Sequence, residues 1–196
     1  MKETEIEFKN MLTQNEYTKL LTHFAVAAED IITLRNDYFD TPALAIKDLH
    51  SALRIRQTTH YIECTLKQAT SKHTSTEINV PLTATQANQL RNDLTLLPEA
   101  IATPLQTKGV ILASIACFGT LETHRVELPY KGGLLVFDHT FYLQQEDYEV
   151  EYEAEDEQLG QKIFADFLQQ HQLPVRPATK KIARFSAALD AQKGQN

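Results

Sequence analysis

Charged and apolar residues alternate along the first predicted strand, residues 3–9, and this alternation constrains the fold more than any other feature of the chain. Successive side chains of a β-strand point to opposite faces, so every second residue shares a face. One face would carry Glu3, Glu5, Glu7 and Lys9. The other would carry Ile6 and Phe8, which suit a hydrophobic layer. A single strand of this kind is typical of a solvated sheet, but the pattern returns in at least four later strands.

The later predicted strands repeat the division into a charged and an apolar face. Their charged faces carry Arg54 and Arg56 (strand 52–58), Glu63, Thr65 and Lys67 (61–68), Thr123, Arg125 and Glu127 (121–128), and Glu149, Glu151 and Glu153 (147–155). In strand 134–143, Asp138 shares a face with Leu134 and Val136. Residues 53–67 therefore predict a hairpin with one charged and one apolar face. The apolar face of its second strand includes Cys64, which we expect in the core.

The remaining elements predict one α+β domain, residues 1–196, built mainly from antiparallel strands. Further strands are predicted at 31–39, 77–80 and 115–118, the last pairing with 121–128. A capping box at residues 13–16 opens a helix that ends near Phe24. Other helices are predicted at 83–94, 157–170 and 179–190, with short helices inside 43–51 and 95–113. No internal repeat or linker interrupts this order.

Composition excludes several classes of protein. A chain of 196 residues can bury a sizeable core, and a formal net charge of -7 argues against a general nucleic-acid binder. No apolar run approaches the roughly 20 residues that span a bilayer, and the acidic first residues do not resemble a signal peptide. Cys64 and Cys117 are too few for a disulfide framework. We therefore expect a cytoplasmic protein that binds neither nucleic acid nor membrane.

The charges are sorted by sign from strand to strand, which an ordinary solvated face does not require. Carboxylates gather on the first and last predicted strands, and cations gather on the hairpin and near Arg125. Like charges two residues apart repel each other unless counter-ions neutralise them. The carboxylate pairs Glu5/Glu7 and Glu149/Glu151 therefore indicate metal ions. The cations Arg54, Arg56, Lys9 and Lys67 indicate a polyanion that guanidinium groups can contact at two points.

The ordered set of motifs resembles the CYTH family, also called triphosphate tunnel metalloenzymes, and covers nearly the whole chain. The motifs are Glu5-Ile6-Glu7-Phe8-Lys9, which matches the family's ExExK signature, Tyr38-Phe39-Asp40-Thr41, Leu53-Arg54-Ile55-Arg56, Glu63-Cys64-Thr65-Leu66-Lys67, Thr123-x-Arg125, Val136-Phe137-Asp138, Glu149-Val150-Glu151 and Lys181-x-x-Arg184. The short chain is similar to the stand-alone CYTH proteins of Gram-positive bacteria. Thr179 stands where many relatives have serine before the lysine pair, which departs from the family pattern.

The resemblance implies an eight-stranded antiparallel β-barrel whose charged faces line a triphosphate tunnel, with helices packed outside. It implies that Glu5, Glu7, Glu149 and Glu151 hold one or two divalent metals, Mg²⁺ or Mn²⁺, and that Asp138 belongs to the catalytic acidic set. It further implies that a triphosphate-containing small molecule is bound by Lys9, Arg54, Arg56, Lys67, Arg125 and Lys181. Arg184 is assigned either to substrate binding or to helix packing. Glu153 is assigned either to the mouth of the tunnel or to a solvated position, and we favour the solvated position.

Three functions are compatible with these motifs. The first is metal-dependent hydrolysis of an inorganic or organic triphosphate, in which water attacks in line and no side-chain nucleophile is needed. The second is an adenylate cyclase of the same family, in which a ribose hydroxyl replaces water. The third is a binding module that retained the cations but lost turnover, although a pure anion binder gains nothing from four additional carboxylates. The motifs leave open which triphosphate is the substrate and what oligomer forms.

Overall fold

A computed structural model of the protein describes residues 2–193 and contains eight strands that form a closed barrel. The strands are β1 (Lys2–Leu12), β2 (Ile32–Asp40), β3 (Ser51–Gln57), β4 (Ile62–Ala69), β5 (Thr74–Pro81), β6 (Ala116–Tyr130), β7 (Gly133–Tyr142) and β8 (Gln145–Ala154). Around the barrel they follow the order β1-β5-β4-β3-β2-β6-β7-β8. The predicted α+β class and eight-stranded barrel are therefore confirmed.

Six α-helices accompany the strands within the described residues. They are α1 (Gln14–His23), α2 (Ala45–Asp48), α3 (Ala84–Asn92), α4 (Glu99–Thr107), α5 (Glu157–Gln170) and α6 (Lys181–Lys193). The predicted capping box is present, because Thr13 Oγ1 accepts from the Glu16 amide and Glu16 accepts from the Thr13 amide. Within the described part of the chain, no helix combines the length and the apolar character needed to cross a bilayer.

One prediction about the strands is wrong. Residues 116–118 and 121–128 do not form a pair of strands but belong to the single 15-residue strand β6. The sequence suggested a turn at Gly119-Thr120, yet both residues stay in the extended ladder. Glycine lacks a side chain, so it tolerates an extended backbone as readily as a turn, and its presence does not identify a chain reversal.

The chain divides into two compact units, of which the first contains residues 2–4 and 34–121. Its strands β3, β4 and β5 form an antiparallel meander in which Leu53 lies opposite Leu66 and Ile55 lies opposite Cys64. These four side chains join the buried faces of α3 and α4 in one hydrophobic core, and Cys64 is 1% exposed. The expectation that Cys64 lies in the core is confirmed. Since the apolar faces of β3 and β4 meet helices, their charged faces point toward the barrel interior.

The Tyr38-Phe39-Asp40-Thr41 motif connects β2 to α2 in this unit. Asp40 is buried, and its carboxylate accepts hydrogen bonds from the amides of Thr41 and Ile46 through Oδ1 and of Lys47 through Oδ2, at 2.7–3.0 Å. These amides include donors at the start of a four-residue helix that have no partner within the helix. Asp40 therefore has a structural role: it fixes the connection that leads into β3.

The second unit contains residues 5–33 and 122–193. In it, β8 lies between β1 and β7, and Lys9 pairs with Glu151 across one ladder while Asp138 pairs with Glu149 across the other. The outer face of β8 carries Val150 and Tyr152, which pack with apolar residues of α1 and α5. The alternate face, with Glu149 and Glu151, therefore points away from these helices and toward the barrel interior.

Candidate active site

The first group of charges, here called the cation cluster, consists of Arg54, Arg56 and Lys67 on β3 and β4. All three side chains are between 13% and 16% exposed. Lys67 Nζ lies 3.2 Å from Glu77 Oε1, and Arg54 Nη2 lies 3.8 Å from the same oxygen. Arg56 Nη1 lies 4.0 Å from Glu63 Oε1, while its Nε donates to Asn36 Oδ1 at 2.9 Å. Arg54 and Lys67 therefore share the carboxylate of Glu77 as a counter-ion.

Glu77 on β5 is a member of this site that the sequence reasoning missed. Burial acts to raise the pKa of its carboxyl, but Arg54 and Lys67 outweigh burial and lower that pKa to about 2. Among the described residues, the buried Nε of Arg54 has no hydrogen-bond acceptor. The signal for Glu77 was present in the sequence, because residues 77–80 alternate polar and apolar side chains as the other charged strands do.

The second group, here called the carboxylate cluster, consists of Asp138, Glu149 and Glu151. One carboxylate oxygen from each residue lies within 4.8 Å of those from the other two, and all three residues are at most 2% exposed. The ladder between β7 and β8 places Asp138 directly opposite Glu149, and Glu151 follows on the same face. Three buried carboxylates this close together need positive charge beside them to stay ionised.

Four cations surround the carboxylate cluster. Lys9 Nζ lies 2.7 Å from Glu151 and 2.8 Å from Glu7, so it links β1 to β8. Arg125 binds Asp138 at two points, 2.8 Å and 2.6 Å, and contacts Glu151 at 3.1 Å. Lys181, at the start of α6, lies 2.7 Å from both Asp138 and Glu151 and also contacts Glu149. Arg184 Nη2 lies 2.8 Å from Glu149.

These contacts decide the charge state of the cluster. Burial alone would raise the pKa of Asp138, but Arg125 and Lys181 hold it well below its usual range. Burial likewise acts to lower the pKa of Lys9, yet Glu151 and Glu7 raise it above its ordinary value. Burial lowers the pKa of the Lys181 ammonium, and repulsion from Lys9 and Arg125 lowers it further. Attraction by Asp138 acts in the opposite direction but does not outweigh these effects. Asp138 is therefore ionised at neutral pH and can act as a ligand.

Glu149 provides a direct test of whether a metal ion fits these residues. Both of its carboxylate oxygens are fully buried, and neither accepts a hydrogen bond of acceptable geometry from any residue in 2–193. Their contacts are ionic, with the charged groups of Lys181 and Arg184. A buried carboxylate in this position is well suited to a divalent cation, since oxygen donors are what Mg²⁺, Mn²⁺ and Ca²⁺ prefer. The donor set therefore fits a metal of this class.

The other predicted acidic residues lie near the carboxylate cluster but are not members of it. Glu7 is buried and contacts Lys9, and Glu5 on the same strand is half-buried. The expectation that Glu153 is solvated is wrong, because the side chain is half-buried. Burial and the neighbouring charge of Glu5 raise the pKa of Glu153 to about 7. The alternation of residues along β8 carries Glu153 toward the same interior as Glu151.

Arg184 lies on α6 one turn beyond Lys181 and contacts Asp147 at two points, 2.8 Å and 3.0 Å. Sequence reasoning assigned no role to Asp147, although the alternation that identified Glu149 and Glu151 extends back to it. Most of the guanidinium is therefore engaged by the protein itself, which is the geometry expected for packing of the final helix.

Comparison with known proteins identifies the family of this chain. The CYTH domain model matches residues 3–186. A Bacillus subtilis protein named "Putative triphosphatase YjbK" is 37% identical over 186 residues, which cover 93% of this chain and 94% of that protein. The crystal structure of a Bacillus halodurans protein described as a "putative adenylate cyclase" is 30% identical, with a TM-score of 0.89 over 94% of this chain and 98% of that one.

A more distant structure shares the fold. The Hippeastrum protein HpAC1, described as a "putative adenylyl cyclase" with a dominant triphosphatase activity, superposes with a TM-score of 0.79 at 20% identity, and the match covers 96% of both chains. The family model spans nearly the whole chain and includes every motif of both charged clusters. This chain belongs to the CYTH family.

Proposed function

We propose that the protein is a metal-dependent triphosphatase that hydrolyses a phosphoanhydride bond of an inorganic or organic triphosphate. The observation that carries the proposal is the carboxylate cluster, in which three buried acidic side chains lie within 4.8 Å and are surrounded by cations. Metal-dependent hydrolysis of a triphosphate needs acidic ligands for the metal and cations that bind the phosphate groups. The 37% identical relative named as a triphosphatase supports the same assignment.

Asp138, Glu149 and Glu151 would hold the divalent cation, which we propose to be Mg²⁺ or Mn²⁺. Once bound, such a cation would neutralise phosphate charge and lower the pKa of a bound water. Glu5 and Glu7 complete the proposed acidic set, with Glu7 also fixing Lys9. Oxygen ligands favour these hard cations over softer metals.

The cations of the chain would bind and orient the anion. Arg54, Arg56 and Lys67 share the charged faces of β3 and β4, and we propose that they contact the phosphoryl groups that are not attacked. Lys9, Arg125 and Lys181 stand beside the carboxylate cluster and would stabilise charge that develops on the reacting phosphoryl group and the leaving diphosphate. Guanidinium groups suit this role because they contact two phosphate oxygens at once.

A product assay tests the proposal. The protein is incubated with tripolyphosphate, thiamine triphosphate or ATP in the presence of Mg²⁺ or Mn²⁺, and phosphate, pyrophosphate and cyclic AMP are measured. We expect hydrolysis of at least one triphosphate, with no turnover after removal of metal by EDTA. Absence of metal-dependent hydrolysis on all three substrates contradicts the proposal.

Adenylate cyclase activity is the second candidate, because the 30% identical Bacillus halodurans protein carries that description. Cyclisation would use the same metal and cations but replaces water by the ribose 3′-hydroxyl, which requires a defined position for the nucleoside. Formation of cyclic AMP and pyrophosphate from ATP as the main products would replace the hydrolase assignment by this one.

A further inference from the structure

The docking of α6 against β8 depends on an ion pair outside the carboxylate cluster. Arg184 Nε lies 2.8 Å from Asp147 Oδ2, and Arg184 Nη2 lies 3.0 Å from Asp147 Oδ1. Both side chains are nearly buried, at 12% and 13% exposure. Two parallel contacts between a guanidinium and a carboxylate fix the orientation of both groups and are stronger than a single charged hydrogen bond.

The spacing of charges along the two elements is complementary. Lys181 and Arg184 are three residues apart, so they share one face of α6. Asp147, Glu149 and Glu151 are two residues apart along β8 and share one face of the strand. Arg184 contacts Asp147 and Glu149, and Lys181 contacts Glu149 and Glu151. The helix therefore runs antiparallel to β8, and the Asp147 contact sets its register.

Tyr142 supports this contact from the end of β7. Its hydroxyl donates to Asp147 Oδ2 at 2.8 Å, and its ring lies 6.1 Å from the ring of the buried Phe185 on α6. Asp147 thus accepts three directed hydrogen bonds, two from α6 and one from the barrel. A carboxylate held on both sides cannot follow a sliding helix, so it fixes the position of α6.

We propose that Asp147 is a positioning residue that holds Lys181 in the carboxylate cluster, where the Lys181 ammonium competes with the divalent cation for the same oxygens. This inference rests on the metal site of the proposed function. A Mg²⁺ ion needs oxygen ligands at about 2.0–2.1 Å in a nearly octahedral arrangement. The ammonium lies 2.7 Å from Asp138 and Glu151, so it uses lone pairs that a metal would need, and a metal on the same oxygens would be repelled by its charge.

A substitution near a metal site usually weakens metal binding, but this competition predicts the opposite. A substitution that loosens α6 lowers the occupancy of the carboxylate cluster by Lys181 and therefore tightens metal binding. Replacing Asp147 by Asn also removes a negative charge near the site, and that effect alone would weaken the binding of a cation. An increase in metal affinity thus distinguishes a positioning role from local unfolding and from simple electrostatics.

The test is isothermal titration calorimetry of the full-length protein with MnCl₂ alone. Relative to the wild type, we expect Lys181→Met to lower the Kd for Mn²⁺ by about tenfold, because the ammonium that forms charged hydrogen bonds with the carboxylates is removed. Asp147→Asn is expected to lower the Kd by about threefold, since it loosens the helix without removing the ammonium. In the double variant, Asp147→Asn should add nothing to the effect of Lys181→Met, because Asp147 acts through Lys181.

Controls separate the possible results. Glu146→Gln makes the same change of charge on the neighbouring residue, whose contact is with His139, and should leave the Kd unchanged. Tyr142→Phe removes the hydroxyl that donates to Asp147 and changes no charge. It should lower the Kd as Asp147→Asn does, and it serves as the test if Asp147→Asn does not fold. Unchanged or weaker Mn²⁺ binding by both Asp147→Asn and Tyr142→Phe overturns the positioning role. Equal Mn²⁺ binding by the wild type and Glu149→Gln would instead reject the metal site itself.

Discussion

The cation cluster and the carboxylate cluster differ in how closely their charges are paired. Around Asp138, Glu149 and Glu151, most nitrogen–oxygen contacts lie between 2.6 and 3.1 Å. In the cation cluster, the contacts of Arg54 and Lys67 with Glu77 and of Arg56 with Glu63 lie between 3.2 and 4.0 Å. The two clusters also differ in sign, because β3 and β4 bring cations together whereas β7 and β8 bring carboxylates together.

The same difference appears in what each cluster lacks. Arg54 Nε is a buried donor without an acceptor, whereas both oxygens of Glu149 are buried acceptors without a donor of acceptable geometry, in each case within residues 2–193. A buried donor without an acceptor is costly, and an anion would remove that cost at Arg54. The oxygens of Glu149 face Lys181 and Arg184, and a divalent cation would take the place of part of that positive charge. One cluster is therefore suited to a polyanion and the other to a metal cation, although the same alternating strand pattern builds both.

Neutralising Glu149 should have the largest effect. Glu149→Gln keeps the shape of the side chain but removes the charge that a metal ligand needs, and we expect kcat/KM for the preferred triphosphate to fall about a thousandfold, roughly 4 kcal/mol. The fold should survive, as measured by circular dichroism. Glu146→Gln on the same strand is the control and should retain wild-type turnover. Wild-type turnover by Glu149→Gln at ordinary metal concentration would contradict the role of the carboxylate cluster.

Glu7→Gln extends this test to the first strand. Glu7 contacts Lys9 rather than the carboxylate cluster, so its variant shows whether the ExExK motif contributes ligands or only fixes a lysine. A loss as large as that of Glu149→Gln would indicate a ligand.

The length of the anion should have the next largest effect. If cations of both clusters bind one substrate, a triphosphate engages more of them than pyrophosphate does, and the additional binding holds the reacting phosphorus in line with water. We expect kcat/KM for tripolyphosphate to exceed that for pyrophosphate by at least about a hundredfold, roughly 2.7 kcal/mol. Kinetics on both anions at saturating metal measure this ratio. Equal values would mean that the cation cluster does not contribute to catalysis.

Arg56→Ala tests the cation cluster directly and should have a smaller effect. Loss of one charge-assisted contact to phosphate costs about 1.5–3 kcal/mol, or roughly ten- to a hundredfold in kcat/KM. Mn²⁺ affinity in the absence of substrate should stay within about twofold of the wild type, since an arginine cannot be a metal ligand and Arg56 is proposed to bind phosphate. Arg56→Lys should recover only part of the loss, because an ammonium lacks the planar two-point contact. Arg35→Ala, at an exposed arginine of β2, is the control.

The sequence predicted the barrel well because alternation is a local property of each strand. The charged faces of residues 54–56, 63–67 and 149–151 could be assigned from the period of two alone, and the resemblance to CYTH proteins gave the number of strands. The division of β6 failed because Gly119 is compatible with both a turn and an extended strand. Strand ends and interruptions depend on the neighbouring strands, which are far away in sequence.

The candidate site was predicted less completely, because which charges meet is decided by register between strands. The position of Asp138 opposite Glu149, and of Lys67 opposite Glu77, follows from ladders that a single strand does not specify. Asp147 was missed for a similar reason: its significance comes from Arg184, 37 residues later on a helix. The residue types were readable from the sequence, but their partners were not.

The smallest expected effect concerns the stability that Glu77 contributes to the cation cluster. Its pKa is lowered from 4.5 to about 2, since Arg54 and Lys67 outweigh burial, so the folded state binds its proton more weakly than the unfolded state. That contribution is therefore fully present above about pH 4.5 and is lost as the pH falls toward 2. Glu77→Gln should lower the free energy of unfolding at pH 7 by about 1–2 kcal/mol, because glutamine still accepts hydrogen bonds but carries no charge.

Urea unfolding at pH 7 and at pH 3 measures this contribution, and the difference between wild type and Glu77→Gln should shrink at the lower pH. Glu63→Gln is the matched comparison, since Glu63 lies 4.0 Å from Arg56 and should contribute less. A difference between wild type and Glu77→Gln that does not change with pH would show that Glu77 stabilises the fold by packing. The long contacts of the cation cluster would then make no electrostatic contribution to folding, and the contrast between the two clusters would be one of distance alone.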